Sequence, residues 1–496
     1  MDERRAYLES PQVEGLTDKE QKTLNKLVKI WAEKKAINDK RTQYYKGKAR
    51  SLKSEIVPKE LRNTVKAISC WAEKSVDMLA ALSRFDGYTF QDSEANIINE
   101  VVRANYLHNE YAKAVTSELI HGCAFLTCSA GDKTIGEPPV IISAYSAEQG
   151  SCIWDNRRHR TKAGLVLIDA DDNTGAPTAM NFYTENAVIE FTKDNHYWQF
   201  VRKPHNLGRC LMTTLMYKPG CGVNPTGKSR ISKALMSLID RAQEEMQMTA
   251  ISSQFYTSPQ KYLLGVEEDF FQNNSKFQAY VTEYLAITKD SEGDSPSIGQ
   301  LSQGTMQPHI DLLRQYASEC SSITNLPVHS LGVIHDNPAS AEAILCSMND
   351  LITDAVALNE SNSNALRQIG LMILAISQNK KIDNLSPQEL TCEPKFMNPA
   401  RPSLVTQADA IIKIISAIPD IANSTVILEE LGFTEEQRMR LESDRKKEQA
   451  NKVINSLLET NTQENQDQGE EQTGEENQEV ENVDNAEPEP KQNNSK

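Results

Sequence analysis

No apolar run in this 496-residue chain approaches the roughly 18 residues needed to span a bilayer, so no membrane-spanning helix is expected. The opening "MDERRAYLES" has no apolar stretch, which argues against a secretory signal. Paired cysteines are missing. The nine cysteines, at 70, 123, 128, 152, 210, 221, 320, 346 and 392, are scattered without a CxxC, and they read as reduced, buried thiols of an intracellular protein. There is no G-x-S-x-G and no H-E-x-x-H, and the eight histidines never form a ligand pair at helical spacing, so neither a metal nor a cofactor is expected. A broad basic stripe is also missing: "RRHR" at 157–160 is a small patch that reads as a solvated hairpin tip, not a nucleic-acid footprint. The net charge is -16, and residues 461–496 hold eleven acidic residues against Lys491 and Lys496, so the rest of the chain is only mildly acidic.

By length alone the chain should form roughly three structural units. Residues 17–120 recur apolar at three- and four-residue steps and read as helices. From 122 to 218 the period shortens to runs such as "CAFLTCS", "PVIISAYS", "AGLVLIDAD" and "AVIEFTKD", separated by turn clusters such as "DDNTGAP" and "KDNH", which predicts an antiparallel meander. Residues 229–254 carry one apolar stripe (Ile231, Ala234, Leu235, Leu238, Ile239 and Ala242 among them) and predict a long helix. A compact α/β insert of about fifty residues should follow. A second helix carries a narrow stripe of Ile310, Leu313, Ala317 and Cys320. The chain alone should not cover stripes of this length, so neighbouring copies are expected to do so. A third long helix is predicted over 338–378, with Asn337 as N-cap and Pro338 first. Within it, "NESNSN" (359–364) breaks the stripe and predicts a kink or an exposed turn. Residues 404–446 read as helical, with "ELGFTEEQ" marking a helix end, a glycine and a new start. From about 460 the composition cannot offset the entropy of ordering and predicts disorder.

One motif asks for an enzyme. "GVNPTGKS" at 222–229 fits the phosphate-loop pattern, with Gly222, Gly227, Lys228 and Ser229 in place, a strand-like run before it and a helical run after. Against it, Pro225 removes an N–H from the cradle, and no downstream apolar run ends in a metal-binding acid. "GLVLID", ending at Asp169, lies upstream in the meander. The alternative is a turn at Pro225 and Gly227 that launches the long helix. Three function classes stay open: an enzyme that hydrolyses nucleotides, a structural protein, and a non-catalytic interaction protein.

Several stretches separate them. "YYKGKARSL" (44–52), "GCAFLTC" (122–128), "YKPGCGVNPTGKSRISKALMSLID" (217–240), "IGQLSQG" (298–304), "TNLPVHSLGVIHDNPASAEAI" (324–344) and "FMNPARPSLVTQADA" (396–410) together resemble the portal proteins of tailed double-stranded DNA phages, in particular the siphophage-type branch. The resemblance makes the phosphate-loop match coincidental and implies no catalysis.

It implies an α+β, mainly helical portal fold of wing, stem, clip and crown, in a ring, commonly of twelve subunits, at one capsid vertex around a DNA tunnel. Residues 1–227 would be the wing, 228–256 and 309–324 the stem helices, 257–308 the clip and 325–338 the tunnel loop. Residues 339–380 would be the kinked wing helix, 381–455 the crown and 456–496 a disordered acidic tail. The tunnel loop would present Asn325, His329, Ser330, His335, Asp336 and Asn337 to DNA, and the clip would dock partners through Glu267, Glu268, Asp269, Glu292 and Asp294. Implied partners are the terminase large subunit, head-tail connector proteins, major capsid and scaffolding proteins and passing double-stranded DNA. No membrane is involved. The virion, after assembly in the host cytoplasm, is the implied location.

Overall fold

Thr17 begins the first helix with a reciprocal cap: its hydroxyl accepts from the Glu20 amide at 3.3 Å, and the Glu20 carboxylate accepts from the Thr17 amide at 3.0 Å. In the computed structural model this helix, α1 (Asp18–Tyr45), is followed by α2 (Trp71–Leu82), α3 (Asn96–Ala104) and α4 (Leu107–His121). The structure describes residues 10–11, 13–48, 67–90, 96–171, 175–194, 197–222, 227–257, 261–264, 297–300, 304–333, 341–400, 404–419, 424, 427–428, 431–433 and 435–464.

The meander expected between 122 and 218 is present and wholly antiparallel. One sheet has the order β3-β2-β9, built from β2 (Cys123–Ala130), β3 (Val140–Ser146) and β9 (Met212–Met216). The other runs in chain order through β4 (Gly150–Asp155), β5 (Arg160–Ala170), β6 (Pro177–Tyr183), β7 (Ala187–Asp194) and β8 (Tyr197–Pro204). The "RRHR" run forms the exposed β4–β5 turn, where His159 takes a left-handed φ of 48°. A pairing absent from the sequence reading joins β1 (Phe85–Thr89) to β12 (Glu393–Phe396), because two short strands some three hundred residues apart leave no periodic signal.

Two helices flank the insert as expected, α5 (Lys233–Thr257) and α6 (Gln307–Thr324), and the ends of the insert pair as β10 (Lys261–Leu264) with β11 (Ser297–Gln300). His309 Nδ1 donates to Glu245 Oε1 at 2.5 Å across the two helices, and the Arg241 guanidinium lies 5.8 Å from the Tyr316 ring centroid. The stripe of α5 corrects one expectation. Ile231, Leu235, Leu238, Ile239 and Ala242 are buried within the single chain, because α2 and the sheet core already cover that end of the helix. Ala234, assigned to the same stripe, is exposed. On α6 only Ala317, Cys320 and the terminal Thr324 are buried, while Ile310 and Ile323 remain exposed.

The expected helix over 338–378 is two helices among the described residues, α7 (Ala341–Ser347) and α8 (Asn349–Gln378), with a turn at Met348. Asn337 and Pro338 lie outside the described residues. No exposed turn occurs at "NESNSN": residues 359–364 are helical, and Asn359 and Asn362 are buried. The chain forms two compact units, Met1–Ala410 and Ile411–Lys496, not three, because the helices and the three-stranded sheet of the first share one continuous core.

In the second unit Gly432 has φ 80° just before α10 (Glu435–Glu464), the glycine and restart expected from "ELGFTEEQ". The same unit takes in the later part of α9 (Leu404–Ala417), whose Ile412 and Ile414 are exposed. α10 extends the helical region beyond 446 and through 461–464, residues the composition placed in the tail; the remaining tail, 465–496, lies outside the described residues. All nine cysteines are free, but Cys70, Cys221 and Cys346 are exposed, so the expectation of buried thiols holds for only part of the set.

Candidate functional site

In the described part of the phosphate-loop segment, the Lys228 amide and the Ser229 hydroxyl are committed elsewhere. Pro225 lies outside the described residues, but the Lys228 amide donates to the Tyr217 carbonyl at 2.7 Å and the Arg230 amide to the Leu119 carbonyl at 2.8 Å. The Ser229 hydroxyl donates to the Ile120 carbonyl at 2.5 Å and accepts from the Ile231 amide at 3.0 Å. A phosphate cradle needs these N–H and O–H groups free and aimed at one point. Here they stitch the start of α5 to the end of α4. The preceding strand, β9, is antiparallel to its neighbour, whereas a nucleotide-binding loop follows a strand of a parallel sheet.

Gly227 has a structural reason to be glycine: a Cβ there would stand 1.6 Å from the Gly122 carbonyl oxygen, whereas one at Gly222 would meet nothing within 4 Å. Gly227→Ala is therefore expected to destabilise the protein by about 3 kcal/mol or more, and Gly222→Ala to be nearly neutral, as read by urea unfolding. Equal sensitivity at both positions would contradict this assignment.

Directly after the motif, Arg230 enters the interior, 7% exposed. Its Nε donates to the Ser75 carbonyl on α2 at 2.5 Å, and its Nη2 donates to the Thr324 carbonyl at the end of α6. Nη1 donates to the Tyr217 hydroxyl at 3.1 Å and to Asp354 Oδ2 on α8 at 3.4 Å. Asp354 also accepts from Lys218 Nζ at 2.8 Å and from Asn325 Nδ2 at 3.1 Å. Burial raises the Asp354 carboxyl, but the hydrogen bond and charge of Lys218, with Arg230 and Asn325, outweigh it and hold its pKa below the ordinary value. One ion-paired junction thus fastens the start of α5, the end of α6 and the side of α8.

The expected tunnel-loop residues divide at this junction. Asn325 caps α6 at a left-handed φ of 54° and is held to Asp354, so it anchors the loop. Leu326 is buried, and Ser321 Oγ donates to its carbonyl at 2.6 Å. Ser330 turns its hydroxyl back to the Pro327 carbonyl at 2.7 Å within the short 3₁₀ turn Val328–Leu331. His329 is exposed. His335, Asp336 and Asn337 lie outside the described residues, as do the clip residues Glu267, Glu268, Asp269, Glu292 and Asp294.

A second polar cluster escaped the sequence reading altogether. Asn359 Oδ1 accepts from Ser83 Oγ at 2.6 Å, and Ser83 Oγ is 2.9 Å from the Tyr111 hydroxyl. Asn362 Nδ2 donates to Glu118 Oε2 at 2.8 Å and to the Tyr111 hydroxyl at 3.3 Å. Glu118 is fully buried, and burial pushes its carboxyl up to about 8 against the opposing Asn362 hydrogen bond. The signal available in the sequence was "NESNSN" itself: polar residues inside a helix need buried partners when they do not break it.

Among the described residues no group of His, Cys, Asp and Glu could hold a metal ion, and no helix is long and apolar enough to cross a membrane. The profile of the family described as "Phage portal protein, SPP1 Gp6-like" matches residues 24–455. The portal protein of Mycobacterium phage L5 is 25% identical over 387 residues, covering 75% of this chain and 77% of its own. That of Mycobacterium phage D29 is 26% identical over 387 residues, covering 75% and 78%. Among solved structures, a chain from the neck of a native gene transfer agent particle computed with C12 symmetry aligns with TM-score 0.42 and 14% identity, over 78% of this chain and 96% of its own. A chain from the virion of a native gene transfer agent particle aligns with TM-score 0.44 and 14% identity, over 80% and 99%.

Proposed function

The chain belongs to the SPP1 Gp6-like phage portal protein family, and from that premise we propose that it forms the ring at one capsid vertex through which DNA is packaged and ejected. As a member of that family it is a capsid portal, a virion component, structural and not enzymatic. The proposal adds the parts. Residues 1–227 form the wing, 228–256 and 309–324 the stem, 257–308 the clip, 325–338 the tunnel loop, 339–380 the wing helix and 381–455 the crown. The clip takes the terminase large subunit and later the head-tail connector proteins, its acids Glu267, Glu268, Asp269, Glu292 and Asp294 meeting basic patches on them. Major capsid and scaffolding proteins surround the ring, which assembles in the host cytoplasm, in about twelve copies.

The observation that carries this reading is the Arg230–Asp354 junction. It ties both rods and the residue that opens the loop to the long helix α8, so that a loop facing passing DNA has a rigid base. A conduit must also let the duplex slide. The described part of the loop, 325–333, holds no lysine or arginine, and a ring of cations there would release counterions and grip phosphate. The exposed Ile310 and Ile323 of α6 are surface that neighbouring copies would cover.

His329→Lys, at an exposed position, tests the loop assignment. Rings should form normally while in vitro DNA packaging slows several-fold, the defect easing as salt rises. Packaging at the wild-type rate would show that this loop does not face DNA.

A further inference from the structure

The hairpin that carries Arg157, Arg158, His159 and Arg160 takes no part in the junction. It overhangs a concave site of about 310 Å³, walled by β9 with the chain leading into it and by one face of α8. Arg160 and Arg209 line this site together with His159, and no aspartate or glutamate does. Arg209 is tethered, with Nη1 donating to Gln368 Oε1 at 2.9 Å and Nη2 lying 3.5 Å from Asp383 Oδ1, a carboxylate 86% exposed to water. Its Nε is buried and has no hydrogen-bond partner among the described residues. Arg160 makes no ion pair among them. Burial and then the neighbouring Arg160 lower the Arg209 pKa, with Asp383 opposing. Asp155, opposite Arg160 in the hairpin, and the exposed Asp383 offset these two cations only in part; in one concavity they still repel each other, and an anion between them removes that repulsion.

The remaining lining selects among anions. Trp154, Met212, Met216 and Met372 supply an apolar, adaptable surface. A volume near 310 Å³ accommodates one or two side chains and sits at the small end of ligand sites. Duplex DNA presents its phosphates on a convex rod and needs a wide basic stripe, which this face lacks.

We propose that the pocket between the β4–β5 hairpin and α8 is a receptor for an acidic peptide segment, a carboxylate side chain lying between Arg160 and Arg209 with an apolar neighbour on the methionine floor. The partner is a protein presenting adjacent acidic and apolar side chains. Its binding here is independent of any docking at the clip.

The test is fluorescence anisotropy of the full-length assembled protein with a labelled short peptide of alternating glutamate and leucine. Its glutamine counterpart, inorganic phosphate and a short DNA duplex serve as competitors. The glutamate peptide should bind saturably and more weakly as salt rises, and Arg160→Gln should weaken it at least about tenfold. Arg209→Gln should weaken it further, and Arg157→Gln, at the exposed tip, should change nothing. Should Arg209→Gln fail to fold, Arg160→Gln decides alone, because Arg160 forms no ion pair among the described residues. Wild-type affinity in Arg160→Gln, equal binding of the glutamine peptide, or displacement by phosphate or DNA at concentrations that match the peptide would each overturn the proposal.

Discussion

Replacing Arg230 with methionine should destabilise the protein by about 2–4 kcal/mol, the cost of leaving buried acceptors without their donor. The guanidinium answers the Ser75 and Thr324 carbonyls, the Tyr217 hydroxyl and Asp354. Methionine fills much of the volume but leaves the Thr324 carbonyl, at the end of α6, and the Tyr217 hydroxyl without their donor. Lys218 still pairs with Asp354 and Asn325 still donates to it, so most of the loss lies in those acceptors and not in a stranded charge. Arg230→Lys should recover little, since one ammonium cannot reproduce a fork aimed at three helices. Arg157→Met, on the exposed hairpin tip, should stay within about 0.5 kcal/mol of wild type. Urea unfolding of the three variants checks the order. Near-wild-type stability of Arg230→Met would show that the junction does not hold the rods.

Glu118→Gln should stabilise the protein, and only at higher pH. Burial raises the folded-state pKa of Glu118 from 4.5 to about 8, so the folded protein binds that proton more tightly than the unfolded chain. A raised pKa means that the associated stability is fully present below about pH 4.5, declines as pH rises through the interval and is gone above about pH 8. The loss amounts to roughly 5 kcal/mol, taking about 1.4 kcal/mol per pH unit of displacement. Glutamine keeps the shape and the Asn362 hydrogen bond without ever ionising. The variant and wild type should therefore match near pH 5, and the variant should be the more stable near pH 9. A variant less stable at both pH values would mean that Glu118 is ionised in the core.

What could be read from the residues followed periodicity. The strands β2, β3 and β5 to β9 and the rods α5 and α6 announce themselves because strands are short runs rich in β-branched and aromatic residues and amphipathic helices repeat within a few residues. Arg230 does not, because its partners at Ser75, Tyr217, Thr324 and Asp354 share no local spacing with it. The misreading of "NESNSN" has the same origin. Asn359 and Asn362 interrupt the apolar stripe of α8, and what rescues the helix is Ser83, Tyr111 and Glu118, some 250 residues upstream. The apolar stripe of α5 was seen correctly, but which surface covers it is a tertiary fact. Gly227 and Ser229 looked like a phosphate loop because a tight strand-to-helix connection uses the same residue types: a glycine for close backbone approach and a hydroxyl that ties the connection to the end of α4.

Electron micrographs of the purified full-length protein, with particle mass measured on the same sample, bear most directly on the central claim. A portal should give closed rings of about a dozen copies around an open central channel. Monomers, dimers or open filaments at micromolar concentration would contradict it.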